Sequence, residues 1–252
     1  MRNSDRDEFY IGYAPRPPRR VARTVFRTVI GLNAVAIAVA LVLVFAQHPF
    51  ARSTFEFQQY REFTGVVELK PYPTLVVEQP GTKEYSRYLL VAPGKHGADT
   101  EVRGFARKTV VLRGSLIYRD GHTMVELAPG SLKEQRGAAA EVPVTNLGDV
   151  TVTGEIVDSK CYLGVMNPGR TKVHRDCAAR CISGGIPPAL VTADGFYLLV
   201  GGDGRPLNRE VLGWVGEAID VSGNLQRSGE TLILRAEPAS FRRVQNLTAR
   251  VF

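Results

Sequence analysis

The sequence predicts a mainly β protein. One N-terminal transmembrane helix is followed by two tandem small OB-like β-barrels, and the second barrel carries a Cys/His-bearing helical insertion. Three observations predict this: an uncharged apolar run near the N-terminus, a series of short β-branched strands, and the return of those strands in the same order further along the chain.

The apolar run is TVIGLNAVAIAVALVLVFAQ, residues 28–47. Twenty such residues at 1.5 Å each span about 30 Å, the thickness of a bilayer core. Asn33 is the one strongly polar side chain inside it, with Gln47 at its end. A cleaved signal peptide is the competing reading, with Val44 and Ala46 as small residues before a cut. The run, however, exceeds the usual signal core of about 7 to 15 residues.

The chain's formal charge of +7 invites a nucleic-acid reading until the charge is located. Residues 1–27 form a basic tail: Arg2, Arg6, Arg16, Arg19, Arg20, Arg23 and Arg27 against Asp5, Asp7 and Glu8, seven minus three, or +4. By the positive-inside rule this tail is cytoplasmic and the bulk of the chain lies outside. The expected location is therefore the bacterial inner membrane, with the N-terminus cytoplasmic and the rest periplasmic. Nucleic acid is not an expected partner there.

Strands follow at Val66–Leu69, Leu75–Val77, Tyr88–Val91 and Thr109–Leu112, and Asp120-Gly121 signals a hairpin. The second half repeats the order. Thr64-Gly65 matches Thr153-Gly154, Tyr88–Val91 matches Tyr197–Val200, and Gly114 matches Gly223. Aligning Thr123–Leu127 with Thr231–Arg235 shifts the offset from 109 to 108, as if one residue were deleted in the hairpin turn. Ordered matches at a nearly constant offset indicate duplication. Each copy opens with strand-Gly-strand and closes with a Gly-centred hairpin, the pattern of a five-stranded OB-like barrel. The barrels are placed at 60–135 and 149–245, joined by a short linker at 137–143. One continuous β-sandwich is the competing architecture.

The copies differ at one place. Residues 158–188 form an insertion in copy two that holds all three cysteines, Cys161, Cys177 and Cys181. A short helix is expected from His174 to Ile182, ended by Gly184-Gly185 and Pro187-Pro188. On such a helix His174, Cys177 and Cys181 stand at i, i+3 and i+7 and share a face. Helical cysteines four apart have Cβ atoms about 5 to 6 Å apart, too far for the roughly 3.5 to 4.5 Å of a disulfide. Cys161 therefore either bonds one of them or joins them around a metal.

Four readings stay open. The first is a structural disulfide from Cys161 to Cys177 or Cys181. The second is a metal site of Cys161, His174, Cys177 and Cys181, a Cys₃His set suited to zinc; with Met166 added, the soft ligands suit copper as Cu(I). A redox thiol pair is the third, and haem or iron–sulfur ligation the last. Lys160, Arg170, Lys172, Arg175 and Arg180 against Asp158 and Asp176 leave +3 around these thiols, five minus two. Positive neighbours favour thiolate.

The string Asp158-x-x-Cys161-Tyr162, His174-x-x-Cys177-Ala178-x-x-Cys181-Ile182-x-Gly184-Gly185-x-Pro187, then Asp194-Gly195-x-Tyr197-Leu198-Leu199 resembles a mostly uncharacterised group of exported bacterial proteins. The resemblance covers roughly residues 152 to 235. It implies an extracytoplasmic OB-like domain and singles out Cys161, His174, Cys177 and Cys181. The first copy lacks the motif and reads as a scaffold or docking module.

No Gly-x-Ser-x-Gly, His-Glu-x-x-His or Walker loop occurs, so no catalytic residue is predicted. Pro93–Gly97 and Gly201–Gly204 read as turns. His48, His96 and His122 stand alone and are expected in solvent, while Tyr162 and Trp214 are expected in the core. The functional expectation is a non-enzymatic metal-binding or redox accessory protein, with a membrane respiratory or metallocofactor complex as a possible protein partner. The alternatives are an interaction module with a disulfide-stapled loop and a thiol–disulfide exchange protein.

Overall fold

The computed structural model describes residues 17–47, 53–79, 81, 84–137 and 142–244, and the chain divides into two compact units, 1–50 and 51–252. Most of the basic tail, His48 and most of the 137–143 join lie outside the described residues.

The first unit is one helix, α1 (Arg19–Ala46). It begins after Pro17-Pro18, where proline's fixed φ suits a helix start and its missing N–H is no loss. Arginines are good helix formers, so the helix starts nine residues before the uncharged run instead of with it. Its 28 residues span about 42 Å. None is buried, and the mean hydropathy reaches 2.7 over its most apolar stretch. The helix is long and apolar enough to cross a membrane. Asn33 is accommodated within it: its Nδ2 donates to the Val29 carbonyl at 2.8 Å, so its amide donor is satisfied without water.

The second unit holds both barrels. The first half contains β1 (Ser53–Phe55), β2 (Arg61–Glu68), β3 (Thr74–Glu78), β4 (Tyr85–Ala92), β5 (His96–Gly97), the one-turn helix α2 (Asp99–Val102), β6 (Thr109–Arg119), β7 (His122–Leu127) and β8 (Lys133–Glu134). Strand β2 pairs antiparallel with β3 and β6, β3 with β4, and β6 with β7. A parallel pairing of β4 with β7, Leu89 beside Met124, closes the barrel. The second half contains β9 (Val144–Asp158), α3 (Arg175–Ser183), β10 (Pro188–Val191), β11 (Phe196–Val200), β12 (Ala218–Ser228), β13 (Thr231–Arg235) and β14 (Arg242–Arg243). Its closure is the same: β9 pairs with β10 and β12, β10 with β11, β12 with β13, and β11 runs parallel to β13 with Leu198 beside Ile233. Both are closed five-stranded barrels of OB topology, not one sandwich.

Gly65 and Gly154 sit at matching bends of the two first strands. A Cβ on Gly65 would strike the Val76 carbonyl oxygen, and one on Gly154 that of Val191. Only glycine lets the second strand lie so close.

The duplication is more regular than the sequence alignment gave it. Arg119 faces His122 and Ser228 faces Thr231, each across a two-residue turn. The turns are equal in length, so no residue is deleted. Met124 corresponds to Ile233, beside Leu89 and Leu198, and the offset stays 109 (233 − 124, 198 − 89). The alignment of Thr123 with Thr231 is one residue out. A one-residue slip would turn every side chain of the strand to the wrong face, and the closing parallel pairing excludes it.

Three apolar clusters form. One fills the first barrel around Leu75, Leu90, Leu112 and Val125, and one the second around Ile156, Leu190, Leu199 and Phe241. The third joins the barrels: Leu89, Val91, Ile117 and Met124 of the first pack against Leu163, Phe196, Leu198 and Ile233 of the second. Each fully buried side chain of this size stabilises by about 1.5 to 3 kcal/mol, so the seam is a core in its own right. Tyr72, in the β2–β3 connection, crosses it. Its hydroxyl accepts from the Leu207 N–H at 2.9 Å and donates to the Leu199 carbonyl at 2.8 Å. Burial holds that phenol above its ordinary pKa, so it remains a donor.

Candidate metal and thiol site

The site grows from the end of β9. Asp158, Ser159 and Lys160 are buried there. Asp158 Oδ1 accepts the Cys161 N–H at 2.8 Å, and Oδ2 lies 3.0 Å from His174 Nε2. One buried carboxylate thus fixes both the turn that presents Cys161 and the residue before α3. Cys161 opens a single π-helical turn, Cys161–Val165. Further on, Glu155 accepts the Thr171 N–H, and a 3-10 turn, Lys172–His174, leads into α3. Burial pushes the Glu155 carboxyl above the usual range.

Helix α3 ends as expected. The Gly184 N–H returns to the Arg180 and Cys181 carbonyls, Gly185 takes a left-handed φ of +96°, and the Ile186 N–H closes on the Cys181 carbonyl at 3.0 Å. Cys177 lies in the first turn and Cys181 in the last. Cys161 and Cys181 are buried and Cys177 is half-buried. All three are free thiols, so no disulfide forms here. Their sulfurs lie within 4.8 Å of one another.

Of the five expected ligands, two stand apart from the three sulfurs. His174 does not join Cys177 and Cys181 on a helix face. It stands one residue before α3 and turns to Asp158, forming a second group with Asp158 and Cys161. Met166 lies outside both groups and is exposed. A buried carboxylate is a better partner for an imidazole than a thiol, and Asp158 takes that place.

The first barrel completes the site. Lys95, in the turn between β4 and β5, places its Nζ 2.8 Å from Cys177 Sγ and 3.6 Å from Cys181 Sγ. Its turn is held from below. The buried Lys160 ammonium donates to the Ala92 and Gly94 carbonyls at 2.8 and 2.7 Å and pairs with Glu126 at 2.5 Å. The Gly97 N–H donates to the Gly184 carbonyl at 2.9 Å. A Cβ on Gly184 would collide with the Lys95 carbonyl oxygen. Sequence reading missed Lys95, which lies 82 residues from Cys177. It quoted Asp158 without assigning it a role, although an acid three residues before Cys161 has the spacing of a side-chain cap.

The local charges divide the thiols. A hydrogen bond to the Cys181 sulfur, then burial, pushes the Cys161 thiol up. The same hydrogen bond, with Lys95 nearby, pulls Cys181 down against its burial. The bond to Cys177 raises Lys95. The Lys95 ammonium thus lies on the side of Cys181 and Cys177, and Cys161 is the sulfur held most firmly as a thiol.

The neighbouring aromatics complete the seam. Arg119 lies 4.4 Å over the Tyr162 ring and donates to its carbonyl at 2.8 Å. Tyr162 stacks on Phe196, which also packs against His122 at 4.9 Å. His122 is thus half-buried rather than in solvent, and burial lowers its pKa.

Comparison with protein-family models, curated proteins and solved structures finds no match to this chain.

Proposed function

We propose that this is a membrane-anchored, non-enzymatic protein that holds one soft metal ion, zinc or Cu(I), on Cys161, Cys177 and Cys181 outside the cytoplasm. The observation that carries the reading is the mutual approach of the three sulfurs within 4.8 Å, from two segments of the insertion. Thiolates about 2.3 Å from a common zinc ion stand about 4 Å apart, and soft thiolates also select Cu(I). Asp158, itself bonded to His174, positions Cys161 through its N–H, as carboxylate partners position ligands elsewhere. The arginine excess before the uncharged run of α1 and the resemblance to exported D-x-x-C-Y proteins support the extracytoplasmic placement.

The test uses the full-length chain in detergent, reduced and handled without oxygen. Zinc or Cu(I) is added, the excess removed, and metal per chain measured. One ion per chain is expected. Cys161→Ser, Cys177→Ser and Cys181→Ser each lose it, while Met166→Leu retains it. A wild-type chain that retains neither metal overturns the reading. A Cys161–Cys181 disulfide formed rapidly on adding a small-molecule disulfide, which is reduced to two thiols, and reversed by excess small thiol would then favour thiol–disulfide exchange, the reading that their mutual hydrogen bond supports.

A further inference from the structure

Three facts about Lys95 bear on how a metal would come and go. Its ammonium contacts two of the three sulfurs, at 2.8 and 3.6 Å. Cys177 is the half-buried residue of the three and the other two are buried, so Lys95 makes its shorter contact at the most accessible of them. Its backbone is fixed by Lys160 beneath Gly94 and by the Gly97–Gly184 bond, while the residue itself is exposed. The movable part is then the side-chain stem, which changes rotamer on a fast timescale.

We propose that Lys95 is a displaceable counter-cation, and that the three-sulfur site is built for metal exchange rather than permanent storage. This rests on the metal-site reading above. A thiolate cluster needs a compensating positive charge. In the resting state Lys95 supplies it. An incoming cation supplies it instead, and two cations close to the same sulfurs repel each other. The stem swings out as the metal enters. It swings back onto Cys177 as the metal leaves, restoring the 2.8 Å contact. The ligand class is a soft monovalent or divalent cation passed to an acceptor. The gate comes from one barrel and the ligands from the other.

The test is the rate at which excess chelator strips zinc from the loaded full-length chain. Release starts from the loaded state, so protonation of the emptied thiols does not enter the comparison. Lys95→Met keeps the apolar stem and removes the charge, and it is expected to slow release about tenfold, the scale of other changes next to metal ligands. Lys95→Arg keeps the charge and is expected to release like wild type, with both variants taking up one ion per chain. Release from Lys95→Met at the wild-type rate or faster overturns the proposal, since Lys95 would then be neutral to the ion or hold the ligated thiolates. A wild-type chain that takes up no metal removes the metal-site reading and this one together, and that result is read before any variant is made.

Discussion

At the scale of single residues, the seam between the barrels carries a pH dependence. His122 packs against Phe196 with the rings tilted 36° apart, and burial lowers its pKa below the ordinary 6.5, against the opposing pull of Asp120 and Glu230. A histidine with a lowered folded pKa favours the fold while neutral. Its contribution is present above pH 6.5 and is lost as pH falls through the folded value. The urea midpoint of the wild type is expected to fall between pH 7.5 and pH 5.5, and that of His122→Gln to fall less. Equal losses in the two proteins would show that His122 does not drive the effect. Sequence reading placed His122 in solvent because it borders a tight turn. What buries it is Phe196, on a strand of the other barrel, and no local pattern reports such a neighbour.

At the scale of elements, the insertion depends on close backbone approach at its end. Gly184 caps α3, and the Lys95 carbonyl occupies the space where its Cβ would be. Gly184→Ala is expected to destabilise by about 1 to 3 kcal/mol, the usual cost of overpacking. It should also push the Lys95 turn off Cys177 and speed alkylation of that thiol. Unchanged stability and alkylation would show that the turn accommodates the methyl. The helix and its Gly-Gly end were legible from local chemistry, as were the β-branched strands such as Leu75–Val77 and Thr109–Leu112 and the Asp120-Gly121 hairpin, whereas Pro188–Val191 was not. The grouping of the three cysteines was anticipated because Cβ spacing excluded the simplest pairing. The role of His174 was not, since its partner Asp158 had been read only as part of a motif. The register of the last hairpin was missed by one residue, because matching threonines outweighed the facing of the strands.

At the scale of the molecule, the duplication was legible because strand order and spacing survive in sequence. The division of labour was not. The barrel without cysteines supplies the ammonium that meets them, and contacts between residues 82 apart leave no trace in a linear pattern. If the seam is a core, cutting the chain at the join should not part its halves. A protease site placed within 138–141 and cleaved in the purified protein is expected to leave both halves in one complex through gel filtration. Separation of the fragments would show that the seam depends on the covalent join.

The seam has one more property. Each barrel extends the connection between its first and second strands onto its neighbour. In the first, that connection carries Tyr72 to the Leu199 and Leu207 backbone; in the second, it carries the cysteines to Lys95. The same topological position grips in both directions, which is the self-complementary form of contact that two identical subunits make around a twofold axis. The tandem chain therefore holds within itself an arrangement proper to a homodimer. Because its two halves differ in sequence, the two gripping arms need not be alike: one is a short connection with a single hydroxyl, and the other a long arm bearing thiols.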